Sequence, residues 1–85
     1  MTYYTYILEC ADGSYYTGST DTLYNRVLQH NEGRGAKYTK VRLPVKLVYH
    51  DEFESRSEAV KRERDIKKMN KTQKKKLVED SGSSA

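Results

Sequence analysis

The dipeptide Asp12-Gly13 separates two short runs of aromatic and β-branched residues, and no other feature constrains the fold of this chain as strongly. Tyr3 to Cys10 reads as a strand, Asp12-Gly13 as a tight turn, and Ser14 to Ser19 as the returning strand. Successive side chains of a strand point to opposite faces, so the loop length decides which residues become neighbours. A two-residue turn pairs Ala11 with Ser14 and puts Tyr6 and Tyr16 on opposite faces. A three-residue loop, Ala11 to Gly13 with Gly13 left-handed in a bulge, pairs Cys10 with Ser14 and puts both tyrosines on one face. A site shared by the two phenols needs the second register.

The chain has 85 residues, 35% of them hydrophobic and 33% charged. That predicts one domain, residues 1–80, with a small core, and a short polar tail, 81–85, without order. Eight tyrosines stand against one Phe and no Trp, so the core is expected to have a polar edge. Cys10 is the single cysteine; it excludes an internal disulfide and reads as a small buried hydrophobe. There is no zinc-type Cys/His spacing, no apolar run of about 18 residues and no signal-peptide pattern. A soluble, cytoplasmic protein with no membrane role is expected.

The net charge of +4 is unevenly spread. Residues 60–76 hold nine Lys and Arg against Glu63 and Asp65, a net of +7, which leaves −3 on the remainder. A basic block on a mildly acidic body is the footprint of a polyanion partner, or else a solvated lysine-rich helix face.

After Gly18, which either admits a ligand close to the backbone or makes an exit turn, Thr20 or Asp21 is placed to cap a helix running to about Asn31. Leu23, Val27 and Leu28 supply its apolar stripe, with Arg26 and His30 one turn apart beside it. Glu32 to Lys40 reads as a loop with a short helical turn. Its Arg34, Lys37, Tyr38 and Lys40 suit phosphate contact and base stacking, or an ordinary polar surface. Pro44 precedes a third strand, Val45 to Phe53. Ser55 and Glu58 form a capping box for a helix to about Met69, with Ala59, Ile66 and Met69 inward. Glu63 falls on that stripe, where a carboxylate costs energy unless it is paired or binds a cation. Asn70 is placed to cap a last helix, Thr72 to Glu79, anchored by Leu77 and Val78.

Phosphodiester hydrolysis needs an activated water, neutralisation of developing charge and a stabilised leaving oxygen. A phenol or imidazole with a tuned pKa can move a proton, and a guanidinium fork matches phosphate oxygens. Tyr6, Tyr16, Arg26, His30 and Glu63 contain each of these parts. One inward carboxylate fits a single divalent cation of the Mg²⁺ type better than two.

Tyr4-Thr5-Tyr6 followed by Tyr16-Thr17-Gly18, then Arg26 and His30, resembles the GIY-YIG nuclease superfamily. The chain is most similar to its short bacterial members, of the UPF0213 kind. The runs Tyr6 to Ser14, Gly35 to Thr39, Pro44 to Tyr49 and Ser55 to Ala59 carry that likeness, which spans about residues 3–78. The resemblance implies an α+β fold, a three-stranded antiparallel sheet flanked by helices. It implies an endonuclease with one Mg²⁺ or Mn²⁺, acting in repair or nucleic-acid processing. Tyr6 and Tyr16 would position or deprotonate the attacking water, Arg26 would hold the scissile phosphate, and His30 would assist proton transfer or phosphate binding. Glu63 would ligate the metal. Arg34, Lys37, Tyr38, Lys40, Lys67, Lys71, Lys74 and Lys75 would contact nucleic acid, DNA ahead of RNA. The first triplet departs from the family at Tyr4 and Thr5, and the second at Thr17. Two other readings stand beside the nuclease: a nucleic-acid-binding module with little activity, and a domain that binds a protein partner.

Overall fold

The hairpin closes through the longer loop. The Cys10 N–H donates to the Ser14 carbonyl at 2.8 Å, the Gly13 N–H donates to the Cys10 carbonyl at 2.9 Å, and Gly13 has φ +83°. Strands β1 (Tyr3–Glu9) and β2 (Tyr15–Thr20) therefore pair Tyr6 with Gly18 and Leu8 with Tyr16. Asp12 braces the loop. Its Oδ1 accepts from the Ser14 N–H at 3.0 Å and the Ser14 hydroxyl at 2.5 Å, and its Oδ2 accepts from Arg42 Nε at 3.1 Å. These donors, Ser14 above all, hold the Asp12 carboxyl below the usual carboxylate range. The structure is a computed structural model and describes residues 1–82.

A third strand, β3 (Lys46–Phe53), pairs antiparallel with the other side of β1, giving the order β2-β1-β3. Ile7 pairs with Tyr49 but Leu8 pairs with Leu47, so Val48 is an extra residue in a bulge. The bulge resets the alternation: Leu47 faces the same side as Leu8, and Tyr49 the same side as Ile7.

Helices cover both faces of the sheet, so central β1 is buried continuously from Thr5 to Leu8. On one face Tyr6, Leu8, Cys10 and Val45 pack with Leu23 and Val27 of α1 (Leu23–Asn31). A one-turn helix, α2 (Lys37–Lys40), lies beside α1. On the other face Ile7 and Tyr49 pack with Ile66 of α3 (Arg56–Lys67), with Met69, and with Leu77 and Val78 of α4 (Lys71–Gly82). Two reciprocal caps start the later helices. The Glu58 N–H donates to Ser55 Oγ at 3.3 Å while that hydroxyl donates to Glu58 Oε1 at 2.9 Å. Asn70 and Gln73 exchange side-chain-to-backbone bonds at 2.8 and 2.9 Å.

Several local expectations are corrected. Neither Thr20 nor Asp21 caps α1. Thr22 takes that place without a side-chain bond, and its own N–H donates to Thr20 Oγ1 at 3.1 Å. Leu28 is exposed, and His30 completes the inward stripe, since positions 23, 27 and 30 follow the helical period and 28 does not. Helix α3 stops at Lys67, and α4 continues through Gly82. Of the tail expected at 81–85, residues 83–85 lie outside the described residues. Among the described residues no helix is long and apolar enough to cross a membrane.

Candidate functional site

Because Tyr6 pairs with Gly18, the Tyr6 ring can lie across β2 where a side chain would otherwise stand. A Cβ at position 18 would come within 2.5 Å of the Tyr6 hydroxyl. Neither reading of Gly18 from the sequence foresaw this role. The Tyr6 hydroxyl lies 3.1 Å from His30 Nε2, and His30 Nδ1 lies 2.8 Å from Thr39 Oγ1. The Thr39 hydroxyl is also 3.0 Å from the Ala36 carbonyl, the one direction in which it can donate to that group. Tyr6, His30 and Thr39 are 2%, 1% and 0% exposed, so this chain of hydrogen bonds is sealed from solvent.

Neighbouring backbone contacts hold the imidazole. Gly35 lies against it so closely that a Cβ there would overlap the ring. Asn31 clamps the end of α1 to the start of β3: its Nδ2 donates to the Val45 carbonyl at 2.9 Å, and its Oδ1 accepts from the Val45 N–H at 2.8 Å. Tyr16 completes the group, with its ring centroid 5.2 Å from that of His30 and 6.4 Å from that of Tyr6. Unlike Tyr6, Tyr16 keeps part of its surface open.

Burial raises the Tyr6 pKa well above that of an ordinary phenol, and Tyr16 raises it further. Arg26 pulls it down and Glu63 pushes it up, so both charged groups bear on the same hydroxyl. Burial, reinforced by Arg26, holds His30 below its ordinary value of 6.5. The imidazole is thus neutral near pH 7. Among the described residues Arg26 Nε is buried without a hydrogen-bond partner.

Glu63 belongs to α3, which packs on the opposite face of the sheet from the Tyr6–His30 pair. It reaches the edge strand there. Ser19 Oγ donates to Glu63 Oε1 at 2.6 Å, and Lys67 Nζ lies 2.6 Å from Oε2. An inward Glu63 requires pairing or a bound cation, and the structure pairs it with a serine and a lysine. A cleft of about 370 Å³ runs along this edge, lined by Tyr15, Tyr16, Thr17, Tyr38, Lys67 and Lys74. A smaller hollow beside it, about 190 Å³, shares Tyr15, Tyr38 and Lys74 and adds Ser14 and Lys71. The cleft thus draws from both sides of β2, with tyrosines and lysines together.

A family model described as the GIY-YIG catalytic domain matches residues 2–76. The chain belongs to the GIY-YIG family. It is 49% identical over 78 residues to a UPF0213 protein of Staphylococcus saprophyticus, covering 92% of this chain and 95% of that protein. A UPF0213 protein of Staphylococcus haemolyticus is 50% identical over the same lengths. The solution structure of a UPF0213 protein from Bacillus halodurans is similar at a TM-score of 0.60 with 44% identity, covering 93% of this chain and 84% of that one. A solution structure from E. faecalis gives a TM-score of 0.62 with 41% identity and the same coverage.

In this GIY-YIG domain the closing tyrosine of the first triplet, Tyr6, and the opening tyrosine of the second, Tyr16, share one face with His30. Arg26 and Glu63 act on Tyr6 electrostatically from α1 and α3. The residues expected to contact nucleic acid divide. Tyr38, Lys67, Lys71 and Lys74 line the edge hollows. Lys37, Lys40 and Lys75 are exposed on their helices, and Arg34 is engaged by Glu32. Tyr38 already stacks on Tyr16, with centroids 6.2 Å apart, and carries the Arg42 guanidinium 3.9 Å from its ring centre. Its ring is therefore a wall of the cleft more than a free platform for a base. Thr39, Asn31, Ser19 and Arg42 were not singled out from the sequence. Helical spacing marks His30 as inward, which implies a buried partner, but nothing local names Thr39 as that partner.

Proposed function

We propose that this GIY-YIG domain is a divalent-metal-dependent endonuclease that hydrolyses phosphodiester bonds, DNA ahead of RNA, in repair or nucleic-acid processing. The observation that carries the reading is the grouping of Tyr6, Tyr16 and His30 on one face, with Tyr16 also lining the lysine- and tyrosine-rich cleft. Lys67, Lys71 and Lys74 draw the phosphate backbone to the edge of β2. Arg26, with a buried Nε lacking a partner, takes the scissile phosphate. Tyr16, the less buried of the two phenols, orients the attacking water, and Tyr6 with His30 manages the proton behind it.

Among the described residues no group of three or more His, Cys, Asp or Glu is arranged to hold a metal. Glu63 alone would ligate it, and the ammonium of Lys67 at 2.6 Å indicates that this carboxylate accepts a cation. A Mg²⁺-type ion keeps several waters and takes its remaining oxygens from substrate phosphate, so one carboxylate suffices. When bound, such an ion neutralises charge on the phosphate and leaving oxygen. The test is a cleavage screen of the full chain on single-stranded, duplex, flap and branched substrates in Mg²⁺ and Mn²⁺. We expect cutting that falls by about 100-fold or more in Glu63→Gln and in Arg26→Ala, with folding retained. A protein that binds these substrates but cuts none of them would favour the binding-module reading, which the engagement of both Glu63 oxygens by protein groups supports.

A further inference from the structure

The buried chain Tyr6–His30–Thr39 contains more information than its distances. A neutral imidazole carries one proton, on Nδ1 or on Nε2, and the two arrangements leave different groups unsatisfied. With the proton on Nε2, the ring donates to the Tyr6 oxygen. The Tyr6 hydroxyl proton then has nowhere to go, since among the described residues that hydroxyl bonds to His30 alone. With the proton on Nδ1, every donor is used. Tyr6 Oη–H donates to Nε2 across 3.1 Å, Nδ1–H donates to Thr39 Oγ1 across 2.8 Å, and the Thr39 hydroxyl donates to the Ala36 carbonyl across 3.0 Å. A buried donor left unpaired gives up its hydration without compensation, which favours the second arrangement.

We infer that Thr39 is a positioning residue: its buried hydroxyl holds the Nδ1 proton of His30 and so presents an unprotonated Nε2 to the Tyr6 hydroxyl. The arrangement is built from three parts of the fold. Gly18 lets the Tyr6 ring lie across β2, Gly35 presses the imidazole into place, and the single turn of α2 supplies Thr39. At 1% exposure His30 does not touch substrate; it acts through Tyr6. When the Tyr6 O–H bond breaks, the proton forms the Nε2–H bond. The electron pair stays on the phenol oxygen, and the phenolate–imidazolium pair is transient, because burial favours the neutral form of both groups. Reversal returns the proton by the same path. The inference deepens the nuclease reading, since the phenol served lies directly behind Tyr16, which lines the cleft. The tautomer itself holds or fails whether or not the protein cuts.

The test is a two-bond ¹H–¹⁵N correlation of the full chain labelled at its two histidines, with exposed His50 as the internal reference. We expect His30 to carry its proton on Nδ1. In Thr39→Val that signature is lost, and Thr39→Ser restores it, while His50 does not change. Cleavage, where present, follows the same order, falling in Thr39→Val and returning in Thr39→Ser. A His30 protonated on Nε2 in the unaltered chain overturns the inference, and so does a Thr39→Val protein that keeps the Nδ1 proton. Should Thr39→Val not fold, the spectrum of the unaltered chain decides alone. An Nδ1 tautomer in a protein that never cuts counts against the nuclease reading and leaves this one standing.

Discussion

Gly18 and Tyr6 occupy one space. A Cβ at position 18 would lie 2.5 Å from the Tyr6 hydroxyl oxygen and 2.7 Å from its Cζ. Both distances are well inside van der Waals contact, and the ring cannot simply retreat, because its hydroxyl is bonded to His30 and its body lies in the core. The glycine of the second triplet is therefore a packing requirement set by the tyrosine of the first. Gly18→Ala should lower stability by about 1–3 kcal/mol and displace the Tyr6 ring from His30. Urea unfolding measures the first effect and the His30 imidazole resonances the second. An unchanged unfolding midpoint would mean that the ring has another place to go.

His30 gives the fold a dependence on mild acid. Its folded pKa is depressed, by burial first and by Arg26 second, while its hydrogen-bond partners Tyr6 and Thr39 are uncharged near neutrality. Between the folded value and about 6.5 the unfolded chain binds a proton that the folded chain does not. The stability contribution is complete above about pH 6.5 and is lost as pH falls through the folded value. Unfolding midpoints taken from pH 8 down to pH 5 should decline, and His30→Gln should flatten that decline. A variant with the same pH slope as the unaltered chain would remove His30 as its source.

Lys67 Nζ lies 2.6 Å from Glu63 Oε2, and on the proposed reading it competes with the metal for that oxygen. Removing it frees that oxygen and leaves Ser19 on the other. In the absence of nucleic acid, Lys67→Met should bind Mn²⁺ about two- to five-fold more tightly, the scale set by a partly exposed ion pair. Isothermal titration measures this directly. Weaker binding in the variant would show that Lys67 does not compete for the carboxylate.

Lys71 and Lys74 come from α4 to the hollows beside β2, where Tyr15 and Tyr38 form the other wall. If each meets a phosphate, neutralising either should weaken DNA binding at every sequence alike. Each change should also reduce the slope of log affinity against log salt by about one. Fluorescence anisotropy over a salt series reads both quantities. A slope that does not change would remove α4 from the nucleic-acid face.

Much of this architecture was legible in the chain because it depends on neighbours in sequence. The Ser55–Glu58 capping box, the inward Ala59 and Ile66, the turn at Asp12-Gly13 and the buried Cys10 all follow from local chemistry, and all are present. The α1 cap is ambiguous in the sequence because Thr20, Asp21 and Thr22 all offer a side-chain oxygen that can accept within three positions, and only the exit path of β2 chooses among them. Hydrophobicity alone places Leu28 inward, whereas the helical period assigns that face to His30.

The sequence by itself determined which stretches become strands and helices, where the positive charge accumulates, and which family triplets bring two tyrosines near each other, since these are properties of adjacent residues and their spacing. Only the tertiary structure decided the rest. It selected the three-residue loop that puts both phenols on one face, gave Thr39 to His30, and brought Glu63 to Ser19 from 44 residues away. The reason is that a buried polar group must find its partner wherever packing places one, and that partner is set by the register and the crossing of distant elements.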